Sequence, residues 1–198
     1  MPTATRPADR NATPAAERAG PGRQASTLVV GLGNPLLGDD GVGWSIVDAF
    51  ERRLSLRTAP SRGRQRRGPQ PGVASVEVDR LSVGGLRLME RLLGYRRAIV
   101  VDAGDGGDVP AGSVRVRRLD ELPDRSTGHL GSAHDASLQT ALAAARALGA
   151  APPEEVIVLT VEARPVTTFT QRLTPAVGAA VGPAVERLLD LCGLAADA

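Results

Sequence analysis

One segment constrains the fold of this chain more than any other: residues 29–43, with the sequence VVGLGNPLLGDDGVG. A short apolar run breaks into a glycine turn at Gly31 and Gly33, and two adjacent acids, Asp39 and Asp40, stand before an amphipathic stretch. This order is typical of a buried strand, a tight turn and a helix start in an α/β protein. Ligands of such folds bind at the carboxyl ends of the strands. The two carboxylates therefore mark a candidate functional site.

Acids at the start of a helix also have a purely structural use. They interact favourably with the helix dipole and cap its free N–H groups. That explanation accounts well for one acid. Two adjacent acids between Gly38 and Gly41, downstream of a Gly-Asn-Pro turn, favour a functional role for Asp40.

The rest of the chain alternates between strand-like and helix-like segments. The apolar run 98–103 is typical of a central strand covered on both faces, whereas Val alternates with Arg over 113–117, as in a half-exposed edge strand. The pattern predicts a three-layer α/β/α domain with a mainly parallel, twisted, five-stranded sheet. Its strands are expected at 27–32, 73–79, 98–103, 113–117 and 156–161, and its helices at 42–54, 86–93, 138–148 and 177–192.

The length and the local composition predict the domain organisation. A chain of 198 residues suits one domain with a sizeable core. Residues 1–26 are rich in Ala, Pro, Arg and Thr and lack the apolar segment of a secretory signal, so we expect a disordered tail before a single domain over 27–195. Residues 57–72 combine arginines with glycines and prolines, which predicts a flexible basic loop.

Composition also excludes several classes of protein. Aromatic residues make up only 2% of the chain, which leaves no platform for stacking nucleic-acid bases. Cys192 is the single cysteine, so an intramolecular disulfide and a cysteine-based zinc site are excluded, and a reducing cytoplasm is expected. Cys192 falls in the apolar pattern of the last helix, which favours packing over catalysis. No apolar run reaches the roughly 18 residues of a membrane span.

The glycine-rich segment 31–43 resembles the N-terminal signature of the hydrogenase maturation proteases. These endopeptidases remove a C-terminal extension from the large subunit of [NiFe] hydrogenases. The resemblance continues through 84–90, 100–103, the region of His134 and 173–175, and so spans about residues 27–192. It implies a phosphorylase/hydrolase-like fold and a hydrolase of the aspartyl protease type. We expect a cytoplasmic monomer that acts on a hydrogenase large-subunit precursor.

The resemblance further implies a metal-binding site composed of Asp40, Glu90 and His134. In the family, two acids and one histidine from matching regions bind metal and contact the nickel carried by the precursor. Nickel is therefore expected to arrive with the substrate. Asp40 matches the first acid directly, and Glu90 is the carboxylate nearest to the second, which an ungapped alignment places at residues 90 and 91. Two carboxylates and an imidazole suit a borderline divalent ion such as nickel or zinc.

Other assignments compete within this set. Glu90 on a short helix is equally compatible with a solvent-facing position. His129 is the only other histidine, and a histidine in a Gly/Ser/Thr loop is usually just solvated. Asp102 ends the apolar run 98–103, where it is expected to cap the turn or orient His134.

The mechanism is less constrained than the site. The chain contains no Gly-x-Ser-x-Gly elbow and no His-Glu-x-x-His helix, so we expect Asp40 to act as general base. The metal then has three possible roles: it polarises the scissile carbonyl, it activates a water, or it is only recognised.

Three other functions compete with that of a protease. A dinucleotide-binding protein requires a third glycine where this chain has Leu36. A peptidyl-tRNA hydrolase shares the Gly-Asn-Pro turn but places a catalytic histidine soon after it, and this chain has none before His129. A family member that binds precursor without cutting it is compatible with the sequence.

Overall fold

A computed structural model of the protein describes residues 26–58, 75–82, 84–104, 107, 109–123, 137–164 and 169–195. Over these residues the chain forms five strands and four α-helices. The strands are β1 (Thr27–Leu32), β2 (Val76–Leu81), β3 (Arg97–Gly104), β4 (Val114–Arg118) and β5 (Glu155–Glu162). The helices are α1 (Val42–Thr58), α2 (Gly85–Leu92), α3 (Leu138–Ala147) and α4 (Pro175–Leu191).

The five strands form one sheet in the order β2-β1-β3-β5-β4. All neighbours pair in parallel except β4, which runs antiparallel to β5 at one edge. The chain passes from β1 outward to β2 and then returns to the other side of β1 to form β3. The strand order therefore reverses between β1 and β3, and such a switch point opens a crevice at the carboxyl ends of the two strands.

Helices cover both faces of the sheet. Alternate residues of β1 point to opposite faces, so Val29 lies in a core cluster with α1 and α4, whereas Leu28 and Val30 lie in a second cluster with α2 and α3. This arrangement confirms the predicted three-layer α/β/α architecture with a mainly parallel five-stranded sheet.

The edge strands follow the expected pattern with small shifts. In β4 the valines Val114 and Val116 pack against the core cluster of α1 and α4. Strand β2 continues two residues past the expected end at Asp79, because Leu81 still pairs with Leu32.

Two sequence predictions fall almost wholly outside the described residues. The tail 1–26 contributes only Ser26, and the basic loop 57–72 contributes only its first two residues, with which α1 ends.

Candidate functional site

The turn after β1 fixes the carboxylate of Asp40. Gly33 has a φ of 118°, and a Cβ at this position would lie 1.7 Å from the carbonyl oxygen of Asp40. Only glycine permits this conformation and this close approach. The amide of the next residue, Asn34, donates a hydrogen bond of 2.6 Å to Oδ2 of Asp40. The glycine turn therefore holds this carboxylate at the carboxyl end of β1.

The neighbouring acid, Asp39, has a different environment. It lies with Asp40 in the 3₁₀ turn Gly38–Gly41, but its side chain is only 1% exposed. Its two carboxylate oxygens accept hydrogen bonds from Thr174, one from the amide at 2.6 Å and one from the hydroxyl at 2.8 Å. Asp39 therefore holds Thr174, the residue just before α4. Of the two acids in this turn, Asp40 is the one whose carboxylate remains available for chemistry.

A second close approach brings the start of α1 against the central strands. A Cβ at Gly43 would lie 2.3 Å from the carbonyl oxygen of Leu32 in β1 and 2.5 Å from that of Val101 in β3. Since the residue at this position has no side chain, the first turn of α1 packs directly on the ends of both strands. Asp40, two residues before α1, is thereby placed next to the end of β3.

Asp102 of β3 lies there within reach of the negative charge of Asp40. The pKa of Asp102 is raised to about 6, chiefly by burial and to a smaller extent by the negative charge of Asp40, and the hydrogen bond from the amide of Ala103, 2.8 Å long, opposes the rise. A carboxyl pair with a perturbed pKa at the crevice of an α/β sheet is a typical functional arrangement. The structure therefore brings Asp40 and Asp102 together at the switch point.

From the sequence alone, Asp102 is expected only to cap the turn or to orient His134. The signal that could have found it is its position as the acid that ends an uninterrupted apolar strand. Carboxyl ends of adjacent parallel strands meet at one edge, but the adjacency of β1 and β3 is a property of the fold.

Glu90 lies elsewhere. It is exposed in the second turn of α2, whose buried residues, Leu88 and Leu92, lie on the opposite side of the helix. No hydrogen bond or ion pair joins Glu90 to another residue in the described ranges. Its neighbour Arg91 forms the local ion pairs, with Glu77 at 2.6 Å and with Asp79 at 2.5 Å. A role of Glu90 as a metal ligand stays a prediction.

Both histidines, His129 and His134, lie outside the described residues. Within the described ranges, no group of three or more His, Cys, Asp or Glu side chains is arranged to hold a metal ion. The pair Asp40 and Asp102 supplies carboxylate oxygens only. Such a donor set would fill only part of the shell of a divalent ion, and the role of His134 as a ligand stays a prediction.

A cavity of about 660 Å³ opens next to the end of β3, where Ala103 and Gly104, the residues after Asp102, line it. It is bounded by the ends of β3 and β5, by one face of β4 and by the start of α3. Thr160 of β5, which pairs in register with Asp102, lines the cavity. The cavity therefore begins one strand away from the carboxylate pair.

Cys192 does not belong to the site. It follows α4 directly and packs against the core cluster of α1 and α4. Burial raises the pKa of its thiol to about 11, despite the nearby charge of Arg97, so the thiolate that a nucleophile requires is scarce at neutral pH. Among the helices of the described residues, none is long and apolar enough to cross a membrane.

Comparisons with known proteins agree with this fold. The family model of the hydrogenase maturation proteases matches residues 74–191. The hydrogenase expression/formation protein HupD of Thiocapsa roseopersicina is 28% identical over 165 residues, which cover 82% of this chain and 66% of that protein. HupD of Bradyrhizobium diazoefficiens is 28% identical over 159 residues, which cover 80% of this chain and 73% of that protein. The hydrogenase maturating endopeptidase HybD of E. coli superposes with a TM-score of 0.62 at 26% identity, over 84% of this chain and 91% of that chain. Because the family model matches more than half of its residues, this chain belongs to the hydrogenase maturation protease family.

Proposed function

We propose that this protein is an endopeptidase that removes the C-terminal extension of a [NiFe] hydrogenase large-subunit precursor after nickel insertion. The observation that carries the proposal is the pairing of Asp40 with Asp102 at the β1/β3 switch point. Family membership and the likeness to a hydrogenase maturating endopeptidase support it.

In this proposal Asp40 is the general base. Its Oδ2 accepts the amide of Asn34, so the carboxylate is fixed in direction, as proton transfer to a positioned group requires. An ionised carboxylate at this place takes a proton from the attacking water. We classify the enzyme as an aspartyl-type hydrolase on this basis.

Asp102 complements Asp40. A carboxyl group whose pKa is about 6 is ionised for most of the time at neutral pH and gains or loses a proton readily. Its burial also means that its charge is poorly solvated, and a cation placed beside it is bound more strongly than at the surface. Asp102 therefore suits both proton transfer and the recognition of a positive ion.

Nickel enters this scheme as part of the substrate. Asp40 and Asp102 would offer it carboxylate oxygens, and we keep Glu90 and His134 as further proposed ligands. A bound divalent ion supplies Lewis-acid charge next to the scissile peptide. A protease with an incomplete set of ligands of its own is suited to cut only a precursor that already carries the metal.

The first experiment mixes the purified protein with nickel-loaded and with nickel-free precursor of a candidate large subunit and measures the precursor mass. The proposal expects loss of a C-terminal peptide from the loaded form only. An Asp40→Asn protein is the matched control, because it retains the shape of the side chain and loses the base. It should leave the precursor intact.

The other outcomes have definite meanings. Binding of a cognate loaded precursor without any loss of mass would favour a non-cleaving, chaperone-like role. Equal cutting of both forms would retain the protease and remove nickel recognition from Asp40, Glu90 and His134. Full activity of Asp40→Asn would remove the general base. The cytoplasmic location and the monomeric state stay predictions from the family resemblance.

A further inference from the structure

The cavity beside Asp102 has a distinct chemistry of its own. Register pairing aligns Asp102 of β3, Thr160 of β5 and Arg115 of β4 in one row across the sheet. Two residues further along β4, Arg117 lines the same cavity. The row that starts at Asp102 thus leads across Thr160 to a cavity lined by two arginines.

These two arginines are half-buried and lack partners within the described ranges. Neither Arg115 nor Arg117 forms an ion pair or a side-chain hydrogen bond with another described residue. The next residue on the strand, Arg118, is exposed and bonds to Asp120 at 3.1 Å and to Glu155 at 3.3 Å. A guanidinium partly withdrawn from water is best satisfied by a carboxylate or a similar anion, which it binds with two parallel N–H donors.

The opposite wall of the cavity adds positive potential. Helix α3 begins there, with Ser137 as its cap and Leu138 as its first residue. The N-terminus of a helix carries a partial positive charge. The side chain of Gln139 donates hydrogen bonds to the carbonyls of Leu119 at 2.7 Å and Leu122 at 2.8 Å, which fixes this wall relative to β4.

One acid also lines the cavity, and it determines where an anion can lie. Glu162 is 6% exposed and accepts a hydrogen bond of 3.0 Å from the hydroxyl of Thr160. A Cβ at Gly104 would come within 2.6 Å of its carboxylate, so the glycine makes the room that Glu162 fills. An anion is therefore excluded from this end and favoured beside Arg115 and Arg117. The carboxylate of Glu162 is instead suited to accept N–H groups, such as those of a peptide backbone.

We propose that this cavity is a subsite for the peptide substrate, in which Arg115 and Arg117 bind a carboxylate carried by the segment next to the scissile bond. That the bound peptide is a substrate rests on the proposed endopeptidase function. The binding of a carboxylate-bearing peptide does not, because it follows from the arginines and the cavity alone. The carboxylate belongs either to an acidic side chain or to the C-terminus of the peptide.

The test is a titration of the ¹⁵N-labelled protein followed by amide chemical shifts, with three short peptides as probes. Acetyl-Ala-Glu-Ala-amide carries only a side-chain carboxylate, acetyl-Ala-Ala-Ala with a free C-terminus carries only a terminal one, and acetyl-Ala-Gln-Ala-amide carries neither. We expect saturable shifts at Arg115, Arg117 and Thr160 with at least one of the two carboxylate peptides. Whichever binds identifies the source of the carboxylate.

The variants assign this binding to the arginines. In the double variant Arg115→Gln/Arg117→Gln the affinity should fall by about tenfold or more. Arg146→Gln, which removes one positive charge from an exposed position at the far end of α3, should leave it unchanged. The double variant Arg115→Lys/Arg117→Lys retains the charge and should bind with intermediate affinity. It also serves as the test if the glutamine variant fails to fold.

Three results would overturn the inference: binding of the Gln peptide as tight as that of the better-binding carboxylate peptide, equal binding by the parent and the glutamine variant, or no saturable shift with any probe. Its failure is separable from that of the proposed function. Peptide binding at the arginines without cleavage of any precursor would retain the subsite and remove the protease. Cleavage of a precursor without peptide binding at the arginines would retain the protease and remove the subsite.

Discussion

The carboxylate of Asp39 holds Thr174, a residue 135 positions away, through two hydrogen bonds of 2.6 and 2.8 Å. Thr174 directly precedes α4, and α4 packs beside α1. A buried acid in the first loop thus fastens the last helix of the domain. The carboxylate of the adjacent Asp40 lies instead at the end of β1, where its charge acts on Asp102. Two consecutive acids in one short turn have therefore separated into one for stability and one for chemistry.

This separation predicts opposite effects for the two acids. Asp39→Ala should lower the free energy of unfolding by about 1–3 kcal/mol, because it removes both hydrogen bonds that the buried carboxylate of Asp39 accepts from Thr174. Asp40→Asn should leave stability within about 0.5 kcal/mol of the parent and abolish cleavage. Urea denaturation measures the first effect and precursor mass the second. Equal losses of stability in the two variants would contradict the division.

The raised pKa of Asp102 predicts a dependence of stability on pH. Its ordinary value is 3.8 and its folded value is about 6, so the folded state binds the proton more tightly than the unfolded state. The penalty for its charge is absent below the ordinary value, grows between the two values and is complete above the folded value. At about 1.4 kcal/mol per unit, it is of the order of 3 kcal/mol.

Asp102→Asn removes that penalty. The variant should be more stable than the parent at about pH 8, and the difference should shrink as the pH falls towards 5. Denaturation curves at several pH values test this, with Glu90→Gln as a control that neutralises an exposed acid. A constant difference across the range would show that Asp102 titrates normally.

The same two variants distinguish between the candidates for the second acid of the site. If Asp102 recognises the nickel-loaded precursor, Asp102→Asn should lower kcat/KM for precursor cleavage by about 100-fold. Glu90→Gln, on the solvent face of α2, should then change it by less than about twofold. The reverse result would support Glu90 as the ligand.

The sequence was sufficient for most of the fold. The apolar periods predicted the five strands and four helices, and the limits of β1 agree with the structure at both ends. The uninterrupted run in β3 and the Val/Arg alternation in β4 were enough to distinguish a central strand from an edge strand. These patterns are local, because the apolar pattern of a strand depends only on how many of its own faces are covered.

The site was predictable in part. Asp40 follows from the glycine turn, which is a local signal. Its pairing with Asp102 depends on β1 lying between β2 and β3, and no local pattern contains a strand order. The contact of Asp39 with Thr174 and the row from Asp102 to Arg115 are likewise products of register between distant segments. The sequence alone therefore points to Asp40, whereas the proximity of Asp102 becomes visible only in the fold, and Glu90 as the second acid stays a prediction.

The glycine turn itself provides the last prediction. Gly33→Ala places a methyl group 1.7 Å from the carbonyl oxygen of Asp40 at a φ of 118°. The turn must then move, and we expect a loss of more than about 1 kcal/mol in the free energy of unfolding. Since Asp40 moves with the turn, its charge should act less on Asp102, and the pKa of Asp102 should fall. Titration of the side-chain carboxyl carbons by NMR measures this shift.

Gly178→Ala is the matched control for that substitution. Gly178 lies in α4, and the Cβ would have only an ordinary contact, 3.9 Å from Cβ of Leu173. Alanine is favoured over glycine in a helix by about 0.5–1 kcal/mol, so this variant should be slightly more stable than the parent and should leave the pKa of Asp102 unchanged. If Gly33→Ala retained both stability and that pKa, the turn would not be what positions Asp40.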